Sequence, residues 1–245
     1  MADSPTQERI AKRLSRAGVC SRRKAEQLIA EGRVSVNGVK LDTPATLVSD
    51  SDTILVDGKP IDKPEEPRVW LFHKPAEHIV SNHDPEGRKT IFDILPKDLP
   101  RVITVGRLDM NSEGLLLLTN SGEIARHMEL PTTGWTRRYK VRARGHPTDE
   151  ALRQLKKGMV VDGVHYGSVS AEVETIKGGN SWLNVSLQEG KKREIRVLFQ
   201  HLGHPVSRLL RLSYGPFQLG NLPRGEVKEV PKKVLKSTFG KQFFH

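Results

Sequence analysis

The sequence predicts an α+β protein, with a small head of two helices and short strands followed by a larger domain of strands and flanking helices. Two observations predict this class. Two helical patterns precede an Asn-Gly hairpin signal near the N-terminus. After them, short apolar or alternating runs bounded by Gly and polar turn residues recur together with shorter helical segments.

Composition and charge restrict the class of partner. The chain has 245 residues and 36% hydrophobic content, enough for one large or two modest cores. Its 40 Lys and Arg against 29 Asp and Glu give a net charge of +11. Such an excess favours a polyanion, with nucleic acid the leading candidate, although a protein can also be basic without binding one.

Cysteine and histidine usage restricts location and cofactors. Cys20 is the only cysteine, so the chain can form neither an internal disulfide nor a thiolate metal site. The nine histidines follow no metal-binding spacing, and no apolar stretch suits a signal peptide or a membrane span. We therefore expect a cytoplasmic protein that uses no metal.

The head begins with two helices. Apolar residues repeat at helical spacing from Ile10 and the first helix stops at Gly18, while Ser21 is a good N-cap for a second helix that ends at Gly32. The first turn of the second helix carries three cations, which oppose the helix dipole. A bound phosphate would compensate for them at the exposed N–H groups. These cations are Arg22, Arg23 and Lys24.

Short strands complete the head, and a linker follows it. Residues 33–41 alternate around Asn37-Gly38, which predicts a hairpin, and a further strand spans 53–56. Residues 63–67 contain two prolines and charged residues but no apolar side chain, which is typical of a semi-rigid linker. We therefore expect a head over 7–62 and a second domain over 68–240, with a partly disordered lysine-rich tail beyond Pro231.

One carboxylate of the second domain is placed as catalytic residues commonly are. Asp109 lies in a polar loop between two short apolar runs, 102–105 and 115–118, which fit buried strands. Gly106 and Gly114 bracket the loop, and Arg107 precedes the carboxylate by two residues. Although a lone loop aspartate usually stabilises its own turn, loops held between buried strands are rigid places for chemistry.

Two later segments carry cations beside apolar faces. Residues 135–145 alternate, so Tyr139 shares a packed face with Val141 and Ala143. Residues 189–193 lead into a helix that has Ile195 on its apolar face and Arg196 in its first turn. The other face of the strand is basic, with Arg138, Lys140, Arg142 and Arg144.

The motif Gly-Arg-Leu-Asp, four residues and Gly, followed by an apolar run, resembles the signature of the RNA pseudouridine synthases, in particular the branch that modifies ribosomal RNA. The head resembles the S4-type RNA-binding domain. The resemblance implies a catalytic domain with a mixed, mainly antiparallel sheet, flanking helices and a central active-site cleft. It also implies isomerisation of one uridine of large-subunit rRNA to pseudouridine without cofactor or metal, with rRNA as partner. We expect a monomer.

The resemblance assigns roles to residues. Asp109 supplies the carboxylate, as nucleophile or base, and Arg196 pairs with it, with Arg193 as the runner-up for the pair and a candidate phosphate contact. Tyr139 stacks on the target uracil, and Ile195 packs against it. Arg107 fills the space left by the flipped base. We also expect RNA contacts from Lys74, which precedes a turn where relatives often carry Gly and this chain has Glu77.

Three alternatives stay open. A hydrolase of N-glycosidic bonds would also place a carboxylate beside the sugar, and it would need a second acid or base such as Glu113. A non-catalytic RNA-binding factor of ribosome assembly would need only the basic surfaces. Finally, small-subunit rRNA is a possible target, because the motifs are shared across the branch.

Overall fold

A computed structural model describes residues 7–82 and 84–244, and over these residues the chain has the α+β class that the sequence predicts. The helices of this part are α1 Ile10–Arg16, α2 Arg22–Ala30, α3 Gly122–Glu129, α4 Asp149–Lys157, α5 Glu194–His201 and α6 Lys232–Phe239. Short 3-10 turns span Ile91–Asp93, Pro131–Thr133 and Lys241–Phe243. The strands of the head are β1 Glu8–Arg9, β2 Val34–Val36, β3 Val39–Lys40, β4 Leu47–Val48, β5 Ile54–Val56 and β6 Lys59–Pro60. The later strands are β7 Val69–Lys74, β8 Ile103–Val105, β9 Ser112–Thr119, β10 Arg137–Arg144, β11 Met159–Val161, β12 Val164–Tyr166, β13 Val169–Lys177, β14 Asn180–Leu187, β15 Val206–Tyr214, β16 Phe217–Gln218 and β17 Val227–Glu229.

The head has the elements that the sequence predicts. The Ser21 side chain accepts a hydrogen bond from the Lys24 backbone N–H, which confirms the N-cap of α2. Asn37 and Gly38 both have positive φ, as expected for a tight hairpin, and they join β2 to β3. The two helices share a core with the strands, which contains Ile10, Leu14, Ala25, Ile29 and Val34.

The rest of the chain is built on one mixed sheet. Its strand order is β13-β14-β10-β15-β9-β7-β17, with β8 paired to β9 and β16 to β15. Among these described strands only β15 and β9 run parallel, so the expectation of a mixed, mainly antiparallel sheet is confirmed. Leu115 to Leu118 are wholly buried in β9, because both faces of this strand are covered.

The helices cover opposite faces in the two halves of the sheet. Ile195 and Leu198 of α5 pack on the face that carries Tyr139 and Val141 of β10. Ile124 of α3 and residues of α6 instead pack on the side of Leu115 and Leu117 of β9. The first of these two cores supports one wall of a cleft that is described below.

The expectation of a partly disordered tail beyond Pro231 is wrong. Residues 232–239 form α6, in which Leu235 and Phe239 are buried. Phe239 packs against the ring of Trp135 with centroids 5.8 Å apart, and against Phe217. Aromatic burial of this size outweighs the lysine content on which the expectation rested.

Candidate active site

A cleft of about 720 Å³ opens where the Asp109 loop meets the start of β10, the start of α5 and β15. Polar and apolar side chains line it together, as is common in ligand sites. The lining residues that bear on the chemistry are Arg107, Asp109, Arg137, Tyr139, Arg193, Glu194, Ile195, Leu209, Arg211 and Tyr214.

The Asp109 loop connects β8 to β9, as the apolar runs predict. Gly106 at its start has φ +65° and its N–H donates to Glu129, while Leu108 is buried beneath the loop. The side chain of Asp109 is about one-third exposed and lines the cleft. At the end of the loop, Gly114 has φ +101°, and any Cβ there would collide with the backbone of Arg211. The glycine therefore allows β9 and β15 to lie side by side.

Lys74 is wholly buried under the loop, which corrects the expectation that it contacts RNA. Its ammonium donates hydrogen bonds to the carbonyl oxygens of Asp109 at 3.2 Å and Ser112 at 2.9 Å. Two further acceptors are the carbonyls of Pro75 and Met110. Burial lowers the pKa of Lys74 to about 8, although the nearby Asp109 and Glu113 carboxylates raise it. The lysine fixes the backbone that carries Asp109.

Glu77 has a backbone conformation that is typical of glycine. Its φ is +63°, in the left-handed region that favours glycine. The Glu77 N–H donates to the Met110 carbonyl at 2.8 Å, so this turn also supports the Asp109 loop. The glutamate is tolerated in a glycine geometry that helps to position the loop.

Two arginines face the Asp109 carboxylate. Arg193 Nη1 lies 3.6 Å from Asp109 Oδ2, and Arg196 Nε lies 3.9 Å from the same oxygen. Arg196 is held from behind, because its Nη1 donates to the Val206 carbonyl and its Nη2 to the Asn111 carbonyl, both at 3.0 Å. Its Nε is buried and has no hydrogen-bond partner in the described structure.

Exposure distinguishes these two arginines. The Arg196 side chain is 12% exposed and the Arg193 side chain 50% exposed. Burial lowers the pKa of Arg196, the Arg193 charge lowers it further, and Asp109 raises it. Arg193 has φ +56° at the N-cap of α5, so the chain bends there and directs the two neighbouring arginines toward one carboxylate.

The remaining expected site residues divide between the cleft and the head. Tyr139 and Ile195 are buried and line the cleft, and Arg107 is exposed at it. The three head cations are exposed in the first turn of α2, which has no acidic residue to offset them. They do not line the cleft, and these residues are Arg22, Arg23 and Lys24.

Sequence reasoning missed three cleft residues. Arg137 donates to the Tyr214 hydroxyl at 2.7 Å and lies over the Tyr214 ring. Arg211 is buried and donates to the Leu115 carbonyl, while its Nη2 has no partner in the described structure. Burial raises the pKa of Glu194, whose carboxylate accepts from the Lys191 N–H. Strand alternation could have placed Arg137 with Tyr139, but no local signal identifies Arg211.

No group of three or more His, Cys, Asp or Glu residues suited to a metal ion occurs in the described ranges. Within the same ranges, no helix has the length and apolar character needed to cross a membrane.

Comparison with known proteins gives the family. A profile of RNA pseudouridylate synthases matches residues 68–201, and a profile of the S4 domain matches residues 8–54. The chain therefore belongs to the RNA pseudouridine synthase family, a class of isomerases, and carries an S4 domain. An RNA pseudouridine synthase of Rickettsia felis is 47% identical over 229 residues, covering 94% of this chain and 99% of that protein.

Two other comparisons extend this result. The ribosomal large subunit pseudouridine synthase B of Pseudomonas aeruginosa is 40% identical over 238 residues, covering 94% of this chain and 61% of that protein. The crystal structure of a pseudouridylate synthase matches with a TM-score of 0.66 and 22% identity, covering 93% of this chain and 98% of that one. The fold therefore extends over nearly the whole chain. The expected family and fold class are both confirmed.

Proposed function

We propose that this chain converts a specific uridine of large-subunit rRNA to pseudouridine, with Asp109 as the essential carboxylate. The observation that carries the proposal is that the Asp109 carboxylate faces two arginines in the cleft, with Tyr139 and Ile195 on the wall beside it. The family membership of the chain supports the reaction class. The similarity to large-subunit enzymes of Pseudomonas aeruginosa and Yersinia pestis supports the choice of substrate.

The reaction breaks the bond from uracil N1 to ribose C1′ and forms a bond from C5 to C1′. A proton leaves C5 and one is gained at N1, so nothing is released or oxidised. Asp109 acts at the sugar, either by capturing C1′ covalently or by removing a proton, and both routes need the ionised carboxylate. Arg193 and Arg196 place positive charge 3.6 and 3.9 Å from the Asp109 Oδ2 atom, which complements a carboxylate at this position.

Access to the base requires that it leave the RNA stack, at a cost of a few kcal/mol. Arg107 is exposed at the cleft and has the length and charge to occupy the vacated space. Tyr139 then stacks on the everted uracil, and Ile195 packs against it. On this proposal the head cations of α2 bind RNA phosphates, while the second domain acts on one nucleotide.

The contacts of Glu113 argue against an N-glycoside hydrolase that uses this residue as its second acid or base. Burial alone would raise the pKa of Glu113, but hydrogen bonding from Arg208 and the charges of Arg208 and Arg224 lower it below its ordinary value. Arg208 Nε lies 2.8 Å and Arg224 Nη2 3.1 Å from the carboxylate. A carboxylate held by two guanidinium groups is a poor proton donor, and Glu113 does not line the cleft.

The variant Asp109→Asn tests the catalytic assignment. It keeps the size of the side chain and removes its charge, so modification should be abolished while RNA affinity stays within several-fold of wild type. Pseudouridine is measured in rRNA from cells that carry only the variant. Turnover near that of wild type would refute the assignment, and release of free uracil by the wild-type enzyme would favour a hydrolase.

Mapping pseudouridines across both rRNAs of a deletion strain tests the substrate. Loss at one large-subunit position is expected. A loss confined to small-subunit rRNA would overturn the substrate proposal, and no loss in either would favour a non-catalytic assembly factor. The cytoplasmic location and the monomeric state stay predictions.

A further inference from the structure

The strand β10 has a second face that the cleft does not use. Tyr139, Val141 and Ala143 point into the core under α4 and α5. Because successive side chains of a strand point to opposite faces, the intervening residues point the other way. The buried residues that pack with α3 and α6 come mainly from β7, β8 and β9, so those helices cover the neighbouring half of this second face. The intervening residues of β10 are Arg138, Lys140, Arg142 and Arg144.

Neighbouring strands add an aromatic ring and polar groups to this face. Arg142 lies directly opposite Trp182 of β14 on one side and Arg208 of β15 on the other. The Arg208 guanidinium lies 6.0 Å from the centre of the half-buried Trp182 ring. Asn184 lies opposite Lys140 on the same face. We define the basic face as Arg138, Lys140, Arg142, Arg144, Trp182 and Arg208.

Only part of the charge on the basic face is neutralised. Lys140 pairs with Glu174, and Arg208 pairs with Glu113. The other three arginines are exposed, and within the described residues none has a carboxylate oxygen within 4 Å. At about 3.3 Å per residue, the stripe from the first to the last of them spans roughly 20 Å. These unpaired side chains are Arg138, Arg142 and Arg144.

We propose that the basic face is a second RNA-binding surface of this enzyme, which holds backbone phosphates outside the cleft and offers Trp182 to an unpaired base. Arginine binds phosphate through paired N–H donors, and sequence-tolerant stacking on aromatic rings is typical of RNA surfaces. Arg138 follows the cleft residue Arg137 directly but points to the opposite face, so RNA that extends from the cleft around the start of β10 reaches the basic face. This inference rests on RNA as the substrate, but not on the chemistry at Asp109.

A triple variant tests the surface: Arg138→Gln, Arg142→Gln and Arg144→Gln in the full chain. Its affinity for deproteinised large-subunit rRNA should fall about 10-fold or more at 0.1 M salt, and the dependence of log K on log salt should flatten by about 2 to 3, because each phosphate contact contributes roughly 0.7 to 0.9. Pseudouridine formation at saturating rRNA should stay within about 2-fold, because these residues lie outside the cleft.

The matched control removes the same charge elsewhere, with Lys156→Gln and Lys157→Gln in α4 and Lys233→Gln in α6. Its affinity and salt dependence should stay close to wild type. If the triple variant binds rRNA as well as this control does, the proposal is wrong. If it keeps full RNA affinity and instead loses an acidic protein partner, the face serves protein binding and the proposal is also wrong.

Trp182 separates stacking from charge. Trp182→Phe retains an aromatic ring and should keep affinity within about 3-fold, whereas Trp182→Leu should lower it about 5-fold or more. Equal affinities for the two variants would overturn the stacking role. Binding is measured without turnover, so these results stay informative even if rRNA is not the substrate that becomes modified.

Discussion

The buried and the exposed sides of the Asp109 loop differ in the contacts that their cations make. Beneath the loop, Lys74 is wholly buried and its ammonium meets four backbone carbonyls. Above it, Arg107 and Arg193 are exposed, and Arg193 approaches the carboxylate only at 3.6 Å. The difference indicates that folding alone satisfies the ammonium of Lys74 beneath the loop. Arg107 and Arg193 above the loop instead keep N–H donors for an anionic partner.

The two arginines that face Asp109 give the strongest test of this contrast. Arg196→Gln should lower turnover about 10²–10³-fold, the size expected when one buried charged group that acts on the reacting centre is removed. Arg193→Gln should lower turnover less and weaken RNA binding more, because this side chain is half exposed. Single-turnover rates and rRNA affinities separate the two effects. Equal losses of turnover would break the distinction between buried and exposed partners.

Replacement of Lys74, which supports the Asp109 loop from beneath, should change both the position of Asp109 and the stability of the protein. Lys74→Met leaves carbonyl acceptors unpaired in a buried site, so the free energy of unfolding should fall by on the order of 1–3 kcal/mol. Turnover should fall about 10-fold through misplacement of Asp109, with rRNA affinity almost unchanged. Urea unfolding and activity assays measure both, and a large loss of affinity would restore the idea that Lys74 contacts RNA.

The pH dependence of stability gives the same site an independent readout. Lys74 has a pKa of about 8 in the folded protein and an ordinary value of 10.5. Between these values the unfolded chain binds more protons than the folded one, so stability rises with pH across this window. This contribution should disappear in Lys74→Met. An identical pH dependence in both proteins, measured by urea unfolding from pH 7.5 to 10, would show that Lys74 does not titrate in this window.

The head cations should show two effects of opposite sign. Changing all three to Gln removes an unfavourable interaction with the α2 dipole, so the head should gain about 0.3–1 kcal/mol per residue at low salt. RNA affinity should nevertheless fall several-fold and its salt dependence should flatten. Unchanged RNA binding would show that the head cluster is only a solvated surface. The substitutions are Arg22→Gln, Arg23→Gln and Lys24→Gln.

Glu77→Gly should have the smallest effect. The left-handed backbone at Glu77 costs a non-glycine residue about 1–2 kcal/mol, and glycine returns part of this through its larger unfolded-state entropy. Thermal unfolding should therefore show a net gain below about 1 kcal/mol, with turnover unchanged. A clear loss of stability would mean that the glutamate side chain makes a contribution that outweighs the backbone strain.

Much of the fold followed from local patterns. The Ser21 cap, the Asn37-Gly38 hairpin and the leucine run of β9 each depend on interactions within a few residues of the chain or on complete burial. The family motif placed Asp109 in the correct kind of loop. The role of Lys74 could not be found in this way, because its four acceptors lie in a turn and a loop that meet only after β7 pairs with β9.

The prediction of a disordered tail was wrong, and cleft residues were missed, for a related reason. Lysine content suggested disorder after Pro231. Phe239 packs against Trp135 and Phe217, but these contacts form only in the folded chain, because the partners are distant in sequence. Arg211 is drawn into the cleft wall by the pairing of β15 with β9 and β10. Partners distant along the chain decide such positions, and one sequence does not reveal them.

The parallel pairing of β9 with β15 brings together segments that the ribosome synthesises at different times. Arg196 bonds to the Asn111 carbonyl across 85 residues of chain, so the carboxylate and its guanidinium are made at different times. At roughly 5–20 residues per second, about 4 to 17 seconds separate their emergence. During this interval the nascent chain contains Asp109 but not yet Arg196. The lining of the cleft is complete only after α5 and β15 have been synthesised, because both contribute residues to it.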